Sequence, residues 1–525
     1  MKRRTNDIKA CLLGCLLVTG ISPLAQETSQ PWYADGQAAI QRNKALRNAI
    51  PADAVAKNVI LFVGDGMGIS TVTAARIFEG QLRGESGEEN ELSFESFPNV
   101  ALSKTYNTNA QVADSAGTMT AMATGVKTDR GMISVNQDVI RGDCDSQTGN
   151  QVLTFLERAE MRGLSTGVVS TARITHATPA ANYAHIMDRN FEDDRDAENL
   201  SNPGNCADIA RQLIEFQTKI PGSDGLEVAL GGGRQSFILR EEGADPETGN
   251  MGQRLDGRDL TQEWLSEHDN SQYVWNKEQF DAIDVDSTDH LLGLFQPSHM
   301  NYNFDLKSDQ AGEPSLTEMT TKAIELLSKN EKGFYLNVEA GRIDHAHHAT
   351  NPRRALVDTV EFAAAVKAAV EMVDLSETLI IVTADHSHVF TIAGYPARGN
   401  PILGKVVGLD ASGATNTDPA LAADGLPYTT LGYANGHGQY SLPDAQTADA
   451  IYREEINAGR VDLSDIDTTD QGFHSETLVP LSDETHAGED VAIYAIGPGS
   501  DLVRGVMEQH LIYHVMMEAS QLTER

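Results

Sequence analysis

The chain has few cysteines, few aromatic residues and few positive charges. Of its 525 residues 4 are Cys, and 6% are aromatic. The cysteines contain no C-x-x-C spacing, so a cysteine-based zinc site is not expected. Beyond residue 25 only Cys144 and Cys206 remain. In an oxidising compartment the simplest outcome is one disulfide between them, and the alternative is two separate thiols.

The shortage of positive charge limits the classes of partner. There are 40 Lys and Arg residues against 76 Asp and Glu, which gives a formal net charge of -36. So acidic a surface argues against nucleic acid and anionic membranes as partners. It also repels phosphate compounds at long range. An anionic substrate must therefore be captured by local positive charge, from metals and an arginine.

Long apolar runs are absent except at the start of the chain. There Ala10 to Ile21 follow the basic segment 2–9, and S-P-L-A ends at Ala25. This pattern predicts a signal peptide over 1–25, removed after about Ala25, and a secreted or periplasmic protein. A lipoprotein signal ending at Cys15 is the less favoured alternative. No other segment reaches the ~20 apolar residues of a membrane span.

The remaining chain has an α/β pattern. Apolar runs such as VILFV (59–63) and TLIIVT (378–383) end just before acidic residues, and helical stretches such as 151–162 and 317–329 lie between them. We predict a large, mostly parallel central sheet flanked by helices on both faces. Functional residues should follow the carboxyl ends of its strands. Because these residues run from Asp65 to His486, we predict one catalytic domain over 51–520.

The segment V-A-D-S-A-G-T-M-T-A-M-A-T-G-V-K-T (112–128) contains the strongest candidate nucleophile. Ser115 begins an uncharged, helical run, where free N–H groups and the helix dipole favour an anion. A serine needs a base, a lowered pKa or a metal before it attacks. The alternative interpretation is a serine that only caps the helix.

Several acidic and histidine residues have the spacing of metal ligands. Asp344 and His348 are four positions apart in the sequence, a spacing that places both on one face of a helix. Asp385 and His386 are adjacent, so they can share one metal only in an irregular turn after a strand. Asp65 lies in a Gly-Asp-Gly turn, and its two oxygens can bridge two ions.

The chain resembles the alkaline phosphatases from about Trp32 to about Met517. The resemblance rests on the serine segment and on five further motifs in the same order. These are N-V-I-L-F-V-G-D-G-M-G (58–68), S-T-A-R-I-T-H-A-T-P-A (170–180), V-E-A-G-R-I-D-H-A-H-H (338–348), V-T-A-D-H-S-H (382–388) and E-T-H-A-G-E-D-V-A (484–492). It implies an alkaline-phosphatase-like fold and hydrolysis of phosphate monoesters through a phosphoserine, with two zinc ions and one magnesium ion.

The resemblance also implies a role for each site residue. Ser115 is the nucleophile, and Arg189, oriented by Asp114, binds the phosphate. His176 and His345 lie near the magnesium shell, and His388 matches an outer-shell position or is simply structural. The implied ligands are Asp344, His348 and His486 for the first zinc, Asp65, Ser115, Asp385 and His386 for the second, and Asp65, Thr178 and Glu339 for magnesium.

Four further expectations follow from the resemblance. Family members are homodimers, held by an N-terminal arm, here 26–50 and ending in a helix, and by a crown-like insertion, here about 394–472. Animal-type members carry a disulfide at the place of Cys144 and Cys206. They also bind calcium, for which Phe295, Gln296 and Glu313 would serve here. Gln296 stands where the family has a glutamate, so we expect calcium binding to be weak at best.

Two other functions fit these residues less well than phosphomonoester hydrolysis. A phosphodiesterase or sulfatase of the same superfamily is the first, but Arg189 and the three-metal set favour a dianionic monoester. A non-enzymatic metal-binding protein on the same scaffold is the second. It would need a missing ligand or nucleophile, and none is missing.

Overall fold

A computed structural model describes residues 37–42, 44–45, 54–437 and 460–522. The predicted signal peptide, most of the predicted arm and residues 438–459 of the predicted insertion lie outside the described residues. Within the arm, residues 37–42 and 44–45 are helical. They belong to a separate N-terminal unit, residues 1–49, whereas residues 50–525 form the main unit.

The strands of the main unit run through its whole length. In chain order they are β1 (Asn58–Gly64), β2 (Asn99–Lys104), β3 (Ser165–Arg173), β4 (Val228–Gly232), β5 (Ser271–Val274), β6 (His290–Leu294), β7 (Phe334–Ala340), β8 (Thr378–Ala384), β9 (Ser387–His388), β10 (Phe390–Ile392), β11 (Leu431–Gly436), β12 (Thr477–Pro480), β13 (His486–Ala487), β14 (Val491–Ile496) and β15 (Gly505–Glu508).

The helices of the main unit alternate with these strands. They are α1 (Ile69–Leu82), α2 (Ser115–Thr124), α3 (Phe155–Met161), α4 (Ala177–Tyr183), α5 (Ile209–Ile214), α6 (Phe216–Lys219), α7 (Leu260–Glu267), α8 (Lys277–Asp281), α9 (Leu316–Leu327), α10 (Arg342–His348), α11 (Pro352–Met372) and α12 (Leu511–Ser520). Short 3₁₀ turns join several of them.

A ten-stranded sheet forms the centre of the described main unit, in the order β15-β2-β14-β8-β1-β7-β3-β4-β6-β5. Every pairing is parallel except those of β14, which is antiparallel to both β2 and β8. The central strands β1, β7 and β8 are buried along their whole length. The predicted mostly parallel sheet is confirmed.

Successive residues of β1 face two different hydrophobic clusters. Leu61 packs in the cluster that contains Met119 of α2, whereas Phe62 packs in the cluster that contains Phe362 of α11. Because neighbouring side chains of a strand point to opposite faces, helices cover both faces of the sheet. This agrees with the predicted α/β architecture.

Two small sheets lie beside the large one. Strands β10, β11 and β12 form a three-stranded sheet, and β9 pairs with β13 so that His388 lies opposite His486. The described part of the predicted crown-like insertion begins after β10 and contains β11.

The structure joins Cys144 and Cys206 in a disulfide, with Cα atoms 5.8 Å apart. Among the described residues, none of the helices has the length and apolar character that crossing a membrane requires.

Candidate metal and phosphate site

The predicted site residues meet at one edge of the large sheet. Asp65 follows β1, Asp385 follows β8, and Asp344 lies in α10, which follows β7. These three strands are parallel neighbours, so their carboxyl ends lie side by side. His486 reaches the same edge from the other direction, because β13 precedes the antiparallel strand β14.

Ser115 is the first residue of α2, and Asp114 is its cap. Asp114 Oδ1 accepts hydrogen bonds from the backbone N–H groups of Gly117 (3.2 Å) and Gly131 (3.1 Å). The interpretation of Ser115 as a mere helix cap is therefore wrong, since the neighbouring aspartate fills that position. Ser115 Oγ is buried and lies 3.2 Å from His386 Nε2.

Arg189 is held beside Ser115 by two side chains. Its Nη1 donates to Asp114 Oδ2 at 3.1 Å, and its Nη2 donates to His176 Nε2 at 2.9 Å. Burial alone would raise the pKa of Asp114, but the guanidinium and the two backbone amides hold that pKa below its ordinary value. Asp114 is thus an anion that hydrogen-bonds Arg189, and its role in orienting that arginine for phosphate stays a prediction.

The first group of predicted ligands forms a compact cluster. His348 Nε2 and His486 Nε2 are 3.1 Å apart, and each lies 3.4 Å from Asp344 Oδ1. His348 Nδ1 donates to the carbonyl of Glu484 (2.6 Å), and His486 Nδ1 donates to the carbonyl of Ala113 (2.8 Å). Both rings therefore present Nε2 lone pairs to the same point, as metal ligands do.

His388 also points at Asp344, but as a donor. Its Nε2 lies 2.8 Å from Asp344 Oδ1 and its Nδ1 lies 2.5 Å from Glu484 Oε2. Burial alone would lower the pKa of His388, yet the two carboxylates raise it to about 10. Because both acceptors are carboxylates, the two ring nitrogens of His388 act as donors in this arrangement, although His388 also lies within 4.8 Å of the donor atoms of Asp344, His348 and His486. His388 therefore helps to hold the Asp344 carboxylate in position through a hydrogen bond.

The second group surrounds the nucleophile. His386 Nε2 lies 3.2 Å from Asp385 Oδ2 and 3.4 Å from Asp65 Oδ1, in addition to its contact with Ser115. Burial lowers the pKa of His386 well below its ordinary value, which keeps the imidazole neutral. The irregular turn after β8 directs both Asp385 and His386 into the site, as the sequence predicted.

The third group lies on the other side of Asp65. Asp65, His176 and Glu339 bring donor atoms within 4.8 Å of one another. Burial and neighbouring carboxylates raise the pKa of Asp65 well above its ordinary value, and burial raises that of Glu339 to about 7. Carboxyl groups crowded together in a buried site repel one another, and a bound cation would offset that repulsion.

Orphaned oxygens support the same interpretation. Among the described residues, the buried atoms without a hydrogen-bond partner include both carboxylate oxygens of Asp65, Glu339 Oε1 and Thr178 Oγ1. Buried polar atoms are nearly always paired in proteins. These four oxygens belong to the three residues that the family resemblance implies as magnesium ligands, and hard oxygens suit such a divalent cation.

Comparison with known proteins gives the family. The alkaline phosphatase family model matches residues 56–522. The alkaline phosphatase of Gadus morhua is 43% identical over 471 residues, which cover 89% of this chain and 92% of that protein. The tissue-nonspecific isozyme of Gallus gallus is 41% identical over 519 residues, covering 97% and 92%. The chain belongs to the alkaline phosphatase family.

Solved structures agree at the level of the fold. The alkaline phosphatase of Thermus thermophilus superimposes with a TM-score of 0.61 at 24% identity, covering 92% of this chain and 94% of its own. The alkaline phosphatase of the Antarctic bacterium TAB5 has a TM-score of 0.58 at 22% identity, covering 90% and 99%. These structures confirm the predicted fold, and the family model with the two relatives above confirms the predicted family and phosphoric monoester hydrolase activity.

The predicted calcium residues lie away from this cluster. Phe295 and Gln296 follow β6, and the amide of Gln296 donates to Asp309 at 3.4 Å. Glu313 is buried, and its Oε1 accepts a bond from the backbone of Asn301. Burial raises the pKa of Glu313 to about 8, as burial also does for Glu339 in the third group, so this shift does not separate a cation site from an ordinary buried carboxyl group. Weak calcium binding stays a prediction.

Three residues of the alkaline phosphatase site were missed in the sequence. The Ser170 hydroxyl donates to Glu339 Oε2, Gln509 donates to the carbonyl of Asp385 at 2.7 Å, and Glu484 contacts His348 and His388. Ser170 and Glu484 open two of the motifs. No local pattern marks these residues, because each makes its hydrogen bond to a residue that is distant in the sequence.

Proposed function

We propose that the chain hydrolyses phosphate monoesters through a phosphoserine on Ser115, with two zinc ions and one magnesium ion. The single observation that carries this proposal is the convergence of Ser115, Arg189 and three ligand groups at one sheet edge. Zinc at the first two groups would supply positive charge for the attacking and leaving oxygens.

The protein's own residues supply positioning. Asp114 caps α2 and holds Arg189, so the guanidinium lies beside Ser115 and can bind two non-bridging phosphate oxygens. Ser115 Oγ at the start of α2 faces His386, and the N-terminus of the helix favours the anion that forms there. No general base is assigned from the protein, because the neutral His386 belongs to the second ligand group.

The finer assignments follow from the donor atoms. Asp344, His348 and His486 would hold the first zinc, and Asp65, Asp385, His386 and Ser115 the second. Asp65, Thr178 and Glu339 would hold magnesium, with His176 and His345 beside them. We also propose a secreted or periplasmic homodimer, with residues 1–25 removed and the crown-like insertion at the subunit interface.

The test is to trap the covalent intermediate. Wild-type protein is mixed with a labelled aryl phosphate at acidic pH, where dephosphorylation slows, and the labelled peptide is identified by mass spectrometry. We expect phosphate on Ser115. Ser115→Ala should lose nearly all turnover while it keeps its fold and most of its zinc. Label on a different residue would refute the mechanism.

Rates on three substrates separate the related activities. An aryl phosphate, a bis-aryl phosphate and an aryl sulfate share a leaving group but differ in charge. Arg189 can bind two equatorial oxygens of a dianionic monoester, and a diester offers fewer charged oxygens. We expect the monoester to react fastest by a wide margin.

A further inference from the structure

Glu484 lies behind the first ligand group, in the loop that precedes β13. Its side chain is fully buried. Burying a carboxylate is costly unless it is paired and hydrogen-bonded, so each of its contacts bears on why the residue is there.

The carboxylate of Glu484 makes two hydrogen bonds. Oε2 lies 2.5 Å from Nδ1 of His388, and Oε1 accepts the backbone N–H of Val389 at 2.8 Å. His388 in turn donates from Nε2 to Asp344 Oδ1 at 2.8 Å. A continuous chain therefore runs from Glu484 through one imidazole to the carboxylate at the centre of the first group.

The backbone of Glu484 makes a second connection. Its carbonyl accepts Nδ1–H of His348 at 2.6 Å, and its N–H donates to the carbonyl of His348 at 3.1 Å. The first of these bonds sets the tautomer of His348, so that Nε2 faces the other ligands. Glu484 thus contacts one ligand, His348, directly and a second, Asp344, through His388. The third ligand, His486, follows two residues later in the chain.

We infer that Glu484 is a positioning residue for the first metal site. It orients Asp344 through His388 and orients His348 directly, and it touches neither metal nor substrate. The inference rests on the proposed assignment of Asp344, His348 and His486 to a zinc ion. Outer partners of this kind commonly contribute 10–100-fold to metal affinity.

Glu484→Gln isolates the side-chain connection. Glutamine keeps the length and can still accept from Val389, but it loses the charge that faces His388. The backbone bond to His348 stays. We expect zinc at the first site to bind about 10–100-fold more weakly, with the second site unchanged, in competition with a chelator. In cobalt(II)-loaded protein, the visible absorption of the first site should shift.

Glu160→Gln is the matched control. Glu160 is also buried, and it accepts hydrogen bonds from the hydroxyl groups of Thr166 and Ser223. It lies near the amino end of β3, opposite the edge that holds the ligands. This variant should lose some stability and keep both zinc affinities and the cobalt spectrum.

Three outcomes would overturn the inference. Glu484→Gln could hold the first zinc as tightly as wild type with an unchanged cobalt spectrum, or lose both zincs equally, as a merely structural residue would. The third outcome needs no variant: a crystal structure of zinc-loaded wild type in which Glu484 turns away from His388, or in which His388 itself binds zinc. Wild type without zinc at Asp344 would instead refute the proposed function.

Discussion

The arrangement of Asp114 and Arg189 shows how one residue serves two purposes. The same carboxylate accepts a free backbone N–H at the start of α2 and accepts a hydrogen bond from the guanidinium that faces the nucleophile. Asparagine caps helices about as well as aspartate, so the two purposes can be separated by one substitution.

We therefore expect Asp114→Asn to fold normally but to bind phosphate about tenfold more weakly. The reason is that asparagine has one side-chain oxygen: with it on the backbone N–H groups of Gly117 and Gly131, the amide nitrogen faces Arg189, and losing the charge-assisted bond costs roughly 1–2 kcal/mol. The measurement is the inhibition constant of inorganic phosphate, together with KM for an aryl phosphate.

Asp208→Asn is a fair control for this variant. Asp208 also caps a short helix, by accepting from the backbone N–H of Arg211, but it pairs with Arg254 rather than with Arg189. It should lower stability and leave phosphate inhibition unchanged. Equal phosphate inhibition of Asp114→Asn and wild type would contradict the assigned role.

A second prediction at the residue scale concerns His176. This ring accepts from Arg189 and has donor atoms near Asp65 and Glu339. Replacing it by aspartate adds a hard oxygen beside two others, which suits magnesium better than imidazole does. We expect His176→Asp to need less added magnesium for full activity and to turn over more slowly. The same half-saturation by magnesium in both proteins would place the third site elsewhere.

At the scale of elements, the turn between β1 and α1 leaves no room for a side chain at residue 66. Gly66 has a φ of +68°, and a Cβ added there would meet His388 Nε2 at 2.3 Å. The turn that carries Asp65 into the site is therefore packed against the donor that supports Asp344.

We expect Gly66→Ala to displace His388 and to weaken zinc at the first site. Gly84→Ala is the matched control, because Gly84 has a φ of +80° but no atom within 4 Å of an added Cβ. Left-handed backbone strain should lower the free energy of unfolding of both variants by roughly 1–2 kcal/mol. The zinc affinity, measured by chelator competition, should fall only in Gly66→Ala, and an equal fall in both would show that strain alone is responsible.

The apolar runs predicted which strands and helices form better than they predicted the residues at which these elements begin and end. The runs at 59–63 and 378–383 became β1 and β8, and the stretch 317–329 became α9. The stretch predicted as helical from residue 151 begins only at Phe155. Thr154 caps α3 there, by accepting from the N–H of Glu157, whose own carboxylate accepts from the N–H of Thr154. This capping box fixes the start more sharply than hydrophobic spacing does.

The site was predictable where motifs carry the ligands and unpredictable where support comes from afar. Asp344 and His348 share a helix face, so their spacing revealed them. Gln509 reaches the carbonyl of Asp385 across 124 residues, and the bond exists only because β15 joins the sheet beside β2. Backbone acceptors have no residue type, so no sequence pattern marks such a partner.

At the scale of the whole molecule, buried carboxyl groups outside the site couple stability to pH. Asp358 lies in α11 and is 4% exposed. Its oxygens accept long hydrogen bonds from the backbone N–H of Asn303, at 3.4 and 3.3 Å, and the charge of Arg342 favours the ionised form without overcoming burial. Burial raises the pKa of Asp358 to about 8, far above the value of about 4 in an unfolded chain.

The sign of the effect follows from proton counting. Between about pH 4 and pH 8 the folded state keeps a proton on Asp358 that the unfolded state releases. The stabilisation is therefore complete below the unfolded pKa and is lost as the pH rises through the folded one. The slope is at most about 1.4 kcal/mol per pH unit for one proton. Glu313, whose pKa burial also raises to about 8, acts in the same direction.

Asp358→Asn should therefore flatten the pH dependence of unfolding. Asparagine has a similar shape and no proton to lose, so the urea midpoint of the zinc-loaded variant should fall less than that of wild type from pH 5 to pH 8. Asp138→Asn, at an exposed position, should follow wild type. Because Glu313 and the metal sites are intact in all three proteins, their contributions cancel in the comparison. Parallel curves for wild type and Asp358→Asn would mean that Asp358 is ionised in the folded protein throughout this range.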